Sequence, residues 1–257
     1  MSDDTQAARI QQAAERLRNS RKPVVLTGAG VSKESGVPTF RDAVDGLWAQ
    51  YDPSQLATPT AFMNNPKLVW DWYEYRRSMI SVARPNLGHR ALADLEQRFP
   101  HLPLITQNVD DLHEQAGSTN VIHLHGNIAQ SKCFFNCQGD PTLIDVSTLT
   151  WDKENGPPAC PHCGRWVRPN VVWFGEILPA DQLQAATIAS RQADIMLVVG
   201  TSGLVTPAAS LPGIARSAGA FIIEINPDYS AITRIADIKL DGPSGEVMPH
   251  LLAALDS

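Results

Sequence analysis

Four short apolar runs, spaced along the chain by helix-length segments, constrain the fold more than any other feature of the sequence. They are Pro23-Val24-Val25-Leu26-Thr27, Leu104-Ile105-Thr106, Ile195-Met196-Leu197-Val198-Val199 and Phe221-Ile222-Ile223-Glu224-Ile225. Short β-branched runs of this kind are typical of strands that are buried on both faces of a parallel sheet. Residues 5–20 carry apolar side chains at helical spacing, which predicts an amphipathic helix packed on that sheet. We therefore predict an open α/β fold.

Each predicted strand is followed by a cluster of glycine or polar residues. The clusters are Gly28-Ala29-Gly30, Gln107-Asn108-Val109-Asp110, Gly200-Thr201-Ser202 and Asn226. Ligands of open α/β sheets bind beyond the carboxyl ends of the strands. The clusters therefore indicate a binding site at this edge of the sheet.

The first cluster begins the glycine-containing run 28–41, which is typical of a nucleotide-binding turn. Gly28 and Gly30 allow a tight turn and a close approach of the backbone to a pyrophosphate. In the G-x-G-x-x-G fingerprint the third glycine would stand at position 33, where this chain has Lys33. On spacing alone, a dinucleotide site and an ordinary strand-to-helix turn are equally good interpretations.

Composition and charge exclude several classes of protein. The 257 residues are 43% hydrophobic, enough for one large domain or two small ones, and the formal net charge of −6 gives no basic surface for nucleic acid. No apolar stretch approaches the length of a membrane span, and the acidic N-terminus does not resemble a secretory signal. We expect a cytoplasmic protein that acts as a monomer and binds neither nucleic acid nor membrane.

The four cysteines form two close pairs, which suggests one structural zinc ion. Cys133 pairs with Cys137, and Cys160 pairs with Cys163 in the regular C-x-x-C spacing. The first pair is one residue wider, so buried or redox-active thiols are the alternative. His162 is a competing ligand. The surrounding segment is rich in loops, which favours a structural metal distant from catalysis.

Two segments interrupt the alternation of strands and helices and are predicted to be insertions. Residues 42–85 are helical and aromatic, and residues 127–168 contain the cysteines and the irregular Gly156-Pro157-Pro158. We expect these two segments to form a small domain. Residues 1–41, 86–126 and 169–257 then form a discontinuous sheet domain.

The chain resembles the sirtuins, NAD-dependent protein-lysine deacylases, in several separate motifs that occur in the family's order. The motifs are the run from Gly28 to Arg41, Thr106-Gln107-Asn108-Val109-Asp110-Asp111-Leu112-His113, Leu124-His125-Gly126, the two cysteine pairs, the run from Arg168 to Glu176, Gly200-Thr201-Ser202 and Glu224-Ile225-Asn226. The resemblance covers most of residues 23–252. It implies a Rossmann-like sheet domain with an inserted zinc module and an inserted helical segment.

The resemblance implies that NAD is consumed, with nicotinamide leaving as the acyl-lysine carbonyl oxygen attacks the ribose. His125 is then the general base, because an imidazole with a pKa of about 6.5 accepts a ribose hydroxyl proton near neutral pH. The products are lysine and O-acyl-ADP-ribose. Without the resemblance, His125 would be one of seven histidines and a structural role would be favoured. His123 stands where the family commonly has glutamate, which puts a carboxylate's role there in doubt, and His113 is interpreted as structural.

The resemblance also implies a cofactor site. Its expected residues are Gly28, Ala29, Gly30, Ser32, Thr39, Phe40, Arg41, Gln107, Asn108, Asp110, Gly200, Thr201, Ser202, Asn226 and Ser244. Asn108 and Asp110 are expected to line the nicotinamide pocket, although Asn and Asp after a strand could merely cap the next helix. Gln107 and Asn226 are expected to contact the two riboses, and Ser244 the adenine through its backbone.

A substrate site is implied by the same resemblance. Val172, Trp173, Phe174, Gly175 and Glu176 are expected to pair with an acylated peptide as an added strand, with a plain core strand as the alternative. Tyr73 and Arg76 lie three residues apart in a predicted helix, so they share a face and could converge on one carboxylate.

On spacing alone, a solvated helix face is the favoured interpretation of Tyr73 and Arg76. Their Y-x-x-R pattern, however, resembles the class III sirtuins, which remove succinyl, malonyl or glutaryl groups from lysine. We therefore expect a deacylase with a preference for acidic acyl groups and weaker deacetylation. The alternatives are a general deacetylase, an ADP-ribosyltransferase and a non-catalytic NAD-sensing module.

Overall fold

The computed structural model describes residues 3–38 and 51–257, and the predictions made for Thr39, Phe40 and Arg41 lie outside these ranges. The strands are β1 (Pro23–Thr27), β2 (Leu104–Thr106), β3 (Val121–His123), β4 (Gly126–Cys133), β5 (Val167–Val171), β6 (Ile195–Val199), β7 (Phe221–Asn226) and β8 (Ile238–Asp241). Six of them form a parallel sheet in the order β3-β2-β1-β6-β7-β8, and β4 pairs with β5 in a separate antiparallel sheet. The predicted α/β fold class is confirmed.

The four strands that the apolar runs predict are the four central strands of the sheet. The sequence pattern missed the two edge strands, β3 and β8. All three residues of β3 are only half-buried, and β8 contains Lys239 and Asp241. An edge strand is covered on fewer sides than a central strand, so it does not need a continuous apolar run.

Helices cover both faces of the parallel sheet. The α-helices of the described residues are α1 (Asp3–Arg18), α2 (Gly30–Lys33), α3 (Pro53–Leu56), α4 (Pro59–Asn64), α5 (Pro66–Val82), α6 (Leu87–Arg98), α7 (Leu112–Ala116), α8 (Ala180–Gln192), α9 (Leu211–Ser217) and α10 (Ser244–Leu255). One core contains Leu17 of α1, Leu92 of α6 and Leu251 of α10, and the other contains Ala186 of α8 and Leu211 of α9.

The central strands contribute alternate residues to these two cores. Val25 and Leu197 pack with α1, α6 and α10, while Leu26 and Val198 pack with α8 and α9. Successive side chains of a strand point to opposite faces, so a strand covered on both sides must be apolar at every position. This arrangement explains the continuous apolar runs of the sequence.

A smaller unit contains α3, α4 and α5 together with β4 and β5. Phe62, Trp72, Tyr73 and Trp173 belong to its aromatic core. The predicted helical and cysteine-containing insertions are therefore present, while the proposed boundaries of a discontinuous small domain stay a prediction.

No helix in the described part of the chain has both the length and the apolar character that crossing a bilayer requires. The expected monomer and its expected location in the cytoplasm stay predictions.

Candidate functional site

Hydrogen bonds join the loops that follow β1, β2, β6 and β7. Gln107 donates from Nε2 to Thr201 Oγ1 over 2.9 Å, and Asn226 donates from Nδ2 to the Thr201 carbonyl oxygen over 2.9 Å. The N–H of Gly30 donates to the carbonyl oxygen of Gly200 over 2.8 Å. The structure therefore brings predicted cofactor residues from four strands together at the carboxyl edge of the sheet.

The glycines of this edge are required by the contact between two loops. A Cβ atom on Gly30 would lie 2.7 Å from the carbonyl oxygen of Gly200, and one on Gly28 would lie 2.7 Å from Cβ of Thr201. Gly200 itself has φ +62°, a left-handed conformation that favours glycine. These glycines thus have a packing role, and they leave the backbone of both loops without side chains.

Three predicted residues form a buried polar cluster between α2 and the loop after β2. The Ser32 hydroxyl donates to Asp110 Oδ2 over 2.9 Å and accepts from Asn108 Nδ2 over 3.1 Å. Burial raises the pKa of Asp110, although hydrogen bonds from the Leu112 N–H and the Ser32 hydroxyl oppose the shift. The cluster therefore combines an amide, a hydroxyl and a carboxyl group at one position.

One atom of this cluster has an unmet hydrogen-bonding requirement. Oδ1 of Asn108 is buried and accepts no hydrogen bond from any described residue. A buried carbonyl oxygen without a donor is costly, and a bound carboxamide N–H would supply one. The chemistry of the cluster thus fits nicotinamide. Asp110 also accepts from the Leu112 N–H over 3.2 Å at the start of α7, so the helix-capping interpretation holds as well.

His89 also belongs to this cluster, and the sequence analysis did not single it out. Its Nε2 lies 3.4 Å from Ser32 Oγ, and its Nδ1 accepts from the N–H of Asn86 over 3.4 Å. Burial lowers the pKa of His89 to about 4, so the ring is neutral and donates from Nε2. The Asn86-x-x-His89 spacing at the start of α6, a capping box, was the available signal.

His113 lies beneath the same cluster. Its Nε2 is 3.1 Å from Thr27 Oγ1, and its ring centroid is 4.9 Å from that of His89. Burial lowers the pKa of His113 well below the ordinary value, so this ring is also neutral. The contacts with β1 agree with a structural role.

His125 lies between β3 and β4 and has a defined tautomer. Its Nδ1 is 2.8 Å from the carbonyl oxygen of Gln107. A carbonyl only accepts, so Nδ1 carries the proton and the lone pair of Nε2 is left as the basic site. Burial lowers the pKa of His125, while the bond to Gln107 opposes this shift.

The residues around His125 explain the Leu-His-Gly motif. Leu124 is fully buried and anchors the segment in the core. Gly126 has φ +77°, and a Cβ atom there would lie 2.2 Å from the carbonyl oxygen of Asn170 in β5. The backbone therefore turns from the parallel sheet into β4 at a position that only glycine can occupy.

His123 makes an ion-pair contact that the sequence did not predict. Its Nε2 lies 2.5 Å from Oε1 of Glu114 in α7. The resemblance leads us to expect a carboxylate at position 123, and the structure places the carboxylate of Glu114 against His123 from α7.

Asn226, the last residue of β7, and Ser202, in the loop after β6, lie at the carboxyl edge of the sheet. The carbonyl oxygen of Ser202 accepts from the N–H of Ala231 over 3.2 Å, and the carbonyl oxygen of Asn226 accepts from Lys239 Nζ over 2.9 Å. Lys239 was not expected here, because it lies in the edge strand β8 that the sequence pattern missed.

Tyr73 and Arg76 lie on one face of α5, and that face is not solvated. Tyr73 is 4% exposed and Arg76 is 6% exposed, so the interpretation favoured by spacing alone is wrong. Trp173 donates from its indole Nε1 to Tyr73 Oη over 2.9 Å, and the Arg76 guanidinium lies 5.2 Å from the ring centroid of Trp72. Burial raises the pKa of Tyr73 to about 12, so its phenol stays neutral.

The segment 172–176 forms a turn after β5 and is held by hydrogen bonds within the chain. The N–H groups of Val172, Trp173 and Phe174 donate to His125 O, Glu176 Oε2 and Ala57 O at 2.8–2.9 Å. A peptide that paired here would have to use the other backbone groups of the turn. Peptide binding by Val172–Glu176 stays a prediction.

Glu176 has a structural contact in addition to its predicted role. Its carboxylate receives two hydrogen bonds from the guanidinium of Arg168, at 2.5 and 3.0 Å. Arg168 is buried, whereas the Glu176 side chain is 25% exposed, so the bidentate pair is partly shielded from water. The pair fixes the turn that carries Trp173.

Ser244 and Gly245 begin α10 and are contacted by the glycine loop. Glu34 accepts from the N–H of Gly245 over 2.8 Å and from Ser244 Oγ over 3.2 Å. Ser244 is buried against Gly88, where a Cβ atom would lie 2.5 Å from its Oγ. Glu34 therefore caps α10 and joins it to the loop that follows β1.

We expect Glu34→Ala to lower the free energy of unfolding by about 1 kcal/mol, because it removes a helix cap with a favourable charge. Glu34→Gln keeps an oxygen acceptor and should lose less. Urea unfolding, monitored by circular dichroism, measures the stability of both variants. Equal stability of Glu34→Ala and the unchanged protein would show that the cap contributes nothing.

The four cysteines form one cluster in the smaller unit. Their Sγ atoms all lie within 4.8 Å of one another, with Cys133 3.5 Å from Cys163 and Cys137 3.9 Å from Cys160. Tetrahedral zinc with Zn–S bonds of about 2.3 Å requires S···S distances of about 3.8 Å. The donor set fits structural zinc despite the wider first pair, and His162 is not part of the cluster that the described residues form.

Comparison with known proteins shows the family. The model of the Sir2 family matches residues 28–207, which include the glycine loop, His125 and the four cysteines. The chain belongs to the Sir2 family. NAD-dependent protein deacylase 1 of Caldanaerobacter subterraneus is 52% identical over 225 residues, covering 87% of this chain and 90% of the relative. NAD-dependent protein deacylase 1 of Pseudomonas aeruginosa is 48% identical over 247 residues, covering 95% and 98%.

Solved sirtuin structures agree with this assignment. A crystal structure of a Sir2 homologue in complex with NAD has a TM-score of 0.86 and 47% identity, covering 95% of this chain and 93% of the other. A Sir2 protein bound to acetylated peptide has a TM-score of 0.84 and 32% identity, covering 95% and 97%. This sirtuin is an NAD-dependent protein deacylase with a four-cysteine cluster consistent with structural zinc.

Proposed function

We propose that this sirtuin prefers acyl-lysine substrates whose acyl chain ends in a carboxylate, such as succinyl-, malonyl- and glutaryl-lysine. The observation that carries the proposal is the buried pair Tyr73 and Arg76. A buried guanidinium is costly beside a neutral group and favourable beside a carboxylate, which it can bind through two parallel hydrogen bonds. An acetyl group offers no charge to Arg76, so it should be the weaker substrate.

The chemistry around this pair supports an acidic ligand. The guanidinium N–H groups of Arg76 are donors only, and Tyr73, which accepts the indole N–H of Trp173, can donate its phenol proton. The aromatic core formed by Phe62, Trp72 and Trp173 would contact the methylene groups of the acyl chain. A carboxylate with up to four acceptor sites suits this group of donors.

NAD would supply the ADP-ribosyl group that accepts the acyl chain, with nicotinamide as the leaving group. We propose that Asn108 and Asp110 bind the carboxamide and that Gln107 and Asn226 contact the riboses. His125 would accept a ribose hydroxyl proton at Nε2, because Gln107 holds the other ring proton at Nδ1. The loops after β1 and β6, whose glycines leave the backbone without side chains, would lie against the phosphates.

We propose acylated proteins and peptides as partners, bound beside the turn 172–176. The solved Sir2 protein with acetylated peptide supports this proposal, since it is similar to this chain over most of its length.

The test measures NAD-dependent turnover of one lysine peptide that carries an acetyl, malonyl, succinyl or glutaryl group. We expect kcat/KM to be higher for the acidic groups. Arg76→Met should lower kcat/KM for the succinyl peptide about 10- to 100-fold, the value of hydrogen bonds to a charged group, and should leave deacetylation active. Tyr73→Phe should act in the same direction with a smaller effect.

Arg77→Met is the matched control, because Arg77 lies next to Arg76 on α5 but donates to the carbonyl oxygens of Ile128 and Gln130 in β4. We expect Arg77→Met to change kcat/KM by the same factor for all four acyl peptides. A preference for acetyl with a silent Arg76→Met would identify a general deacetylase. Transfer of labelled ADP-ribose to protein without deacylation would instead identify an ADP-ribosyltransferase.

A further inference from the structure

The side chain of Trp173 contacts the proposed acyl site through one directional bond. Its indole Nε1 lies 2.9 Å from Tyr73 Oη, and Trp173 and Tyr73 are 2% and 4% exposed. An indole N–H can only donate, so the phenol oxygen accepts this bond. The hydroxyl hydrogen of Tyr73 is then directed away from Trp173.

The guanidinium of Arg76, which lies near the phenol, cannot accept that hydrogen either. Arg76 lies one helical turn after Tyr73 and is close enough to affect its electrostatic environment, but a guanidinium has no acceptor. Among residues 3–38 and 51–257, the Tyr73 hydroxyl makes no hydrogen bond other than the one that it accepts from Trp173, so its hydrogen can be donated to a bound group. An acyl carboxylate supplies the acceptor, whereas an acetyl methyl group does not.

Trp173 is held in this orientation from two sides. The guanidinium carbon of Arg168 lies 3.2 Å from the indole ring centroid, and the Trp173 N–H donates to Glu176 Oε2 over 2.8 Å. Arg168 and Glu176 are themselves joined by a bidentate ion pair in which Arg168 is buried and Glu176 is partly exposed. The indole thus has both its ring plane and its backbone fixed, so its N–H has one direction.

We propose that the indole N–H of Trp173 is a specificity-determining positioning group, which orients the Tyr73 hydroxyl to donate to the carboxylate of an acidic acyl chain. This inference rests on the proposed function, because it needs an acidic substrate at Tyr73. It differs from the peptide-binding role expected for the backbone of Trp173.

The test is a double-mutant cycle between Trp173→Phe and Tyr73→Phe. The readout is the ratio of kcat/KM for succinyl peptide to kcat/KM for acetyl peptide, which does not depend on the fraction of folded enzyme. We expect Trp173→Phe to lower this ratio about fivefold, the value of one oriented hydrogen bond. In the Tyr73→Phe background the same change should leave the ratio unaltered, because the hydroxyl is already absent.

Trp151→Phe is the matched control. Trp151 also donates its indole N–H, to the carbonyl oxygen of Gly156 over 3.0 Å, but it does not contact Tyr73. Its replacement should leave the ratio unchanged. If Trp173→Phe fails to fold, 3-benzothienylalanine at position 173 replaces the N–H by sulfur at nearly constant shape, and the same fivefold loss is expected.

The outcomes separate this inference from the proposed function. If the unchanged enzyme prefers succinyl but the ratio is insensitive to Trp173→Phe, or falls equally in both backgrounds, the inference is wrong and the proposed function stands. If the unchanged enzyme shows no preference for acidic groups, the proposed function and the inference are both wrong.

Discussion

Replacing His125 by asparagine is expected to lower kcat/KM for deacylation about 10²- to 10⁴-fold, the usual contribution of a general base. Asparagine can still donate to the carbonyl oxygen of Gln107, so the loop should keep its conformation. It offers no group that accepts a proton near neutral pH. Steady-state turnover with saturating NAD measures the loss of activity. Calorimetry measures the affinity for NAD, which should change little.

His123→Gln is the matched control for this experiment. His123 lies two residues earlier on the same segment, and its Nε2 contacts Glu114. A partly exposed ion pair is worth about 0–1 kcal/mol, so the control should lose less than about fivefold. Comparable losses in both variants would mean that the segment is merely distorted and that His125 is not the base.

The pH dependence gives an independent test of the same role. A general base acts only when it is deprotonated, and burial lowers the pKa of His125. The neutral ring should therefore persist below the ordinary histidine value of about 6.5, and the acidic limb of kcat/KM should have its midpoint below that value. A midpoint above it would contradict the assignment.

Removal of zinc is expected to abolish activity and to unfold the smaller unit. Structural zinc contributes about 10–16 kcal/mol to the folding of zinc-finger peptides, whereas the whole stability of a domain is about 5–15 kcal/mol. The four Sγ atoms lie within 4.8 Å of one another, and removal of the metal would remove the four bonds that hold the two cysteine pairs together. Thermal unfolding and turnover after dialysis against a chelator measure both effects.

Unfolding of the smaller unit should also disrupt the segment that contains His125, because the chain and a backbone hydrogen bond join the two. Gly126, the first residue of β4, follows His125, and the N–H of Val172 donates to the His125 carbonyl oxygen over 2.9 Å. The turn that carries Trp173 follows β5 directly.

Two controls make the zinc experiment specific. Addition of Zn²⁺ should restore activity and Mg²⁺ should not, because thiolates prefer soft metals. Cys133→Ser should reproduce the effect of the chelator, since Cys133 is a buried member of the cluster. A zinc-free protein, verified by elemental analysis, that keeps its melting temperature and activity would show that the cluster needs no metal.

Sequence reasoning identified the central part of the fold because burial on both faces leaves a clear pattern. The runs at 23–27, 104–106, 195–199 and 221–225 are apolar at every position but one or two, and they form the middle of the sheet. The sequence pattern missed the edge strands because β3 is only half-buried and β8 alternates the buried Ile238 and Leu240 with Lys239 and Asp241.

Local motifs likewise identified the family, the glycine loop and the cysteine cluster. Glycine at positions 28, 30 and 126 is required by close backbone contacts, and such requirements are visible in the sequence as glycines in fixed motifs. The four thiols are recognisable because a metal site needs ligands of one chemical type at short spacing.

Contacts between distant residues were decided by the tertiary structure alone. The spacing of Tyr73 and Arg76 favoured a solvated face, yet α5 packs this face against Trp173, a hundred residues away in sequence. Likewise, the contacts of Glu34 with Gly245 and of His89 with Ser32 join separate elements.

The sequence by itself determined which residue types stand after each strand, and hence the family, the cofactor and the chemical groups available. Only the tertiary structure decided which groups are buried, which atoms donate to which, and therefore that His125 is basic at Nε2 and that Trp173 donates to Tyr73. The physical reason is that hydrogen-bond direction and burial depend on neighbours in space, and packing of separate elements brings those neighbours together.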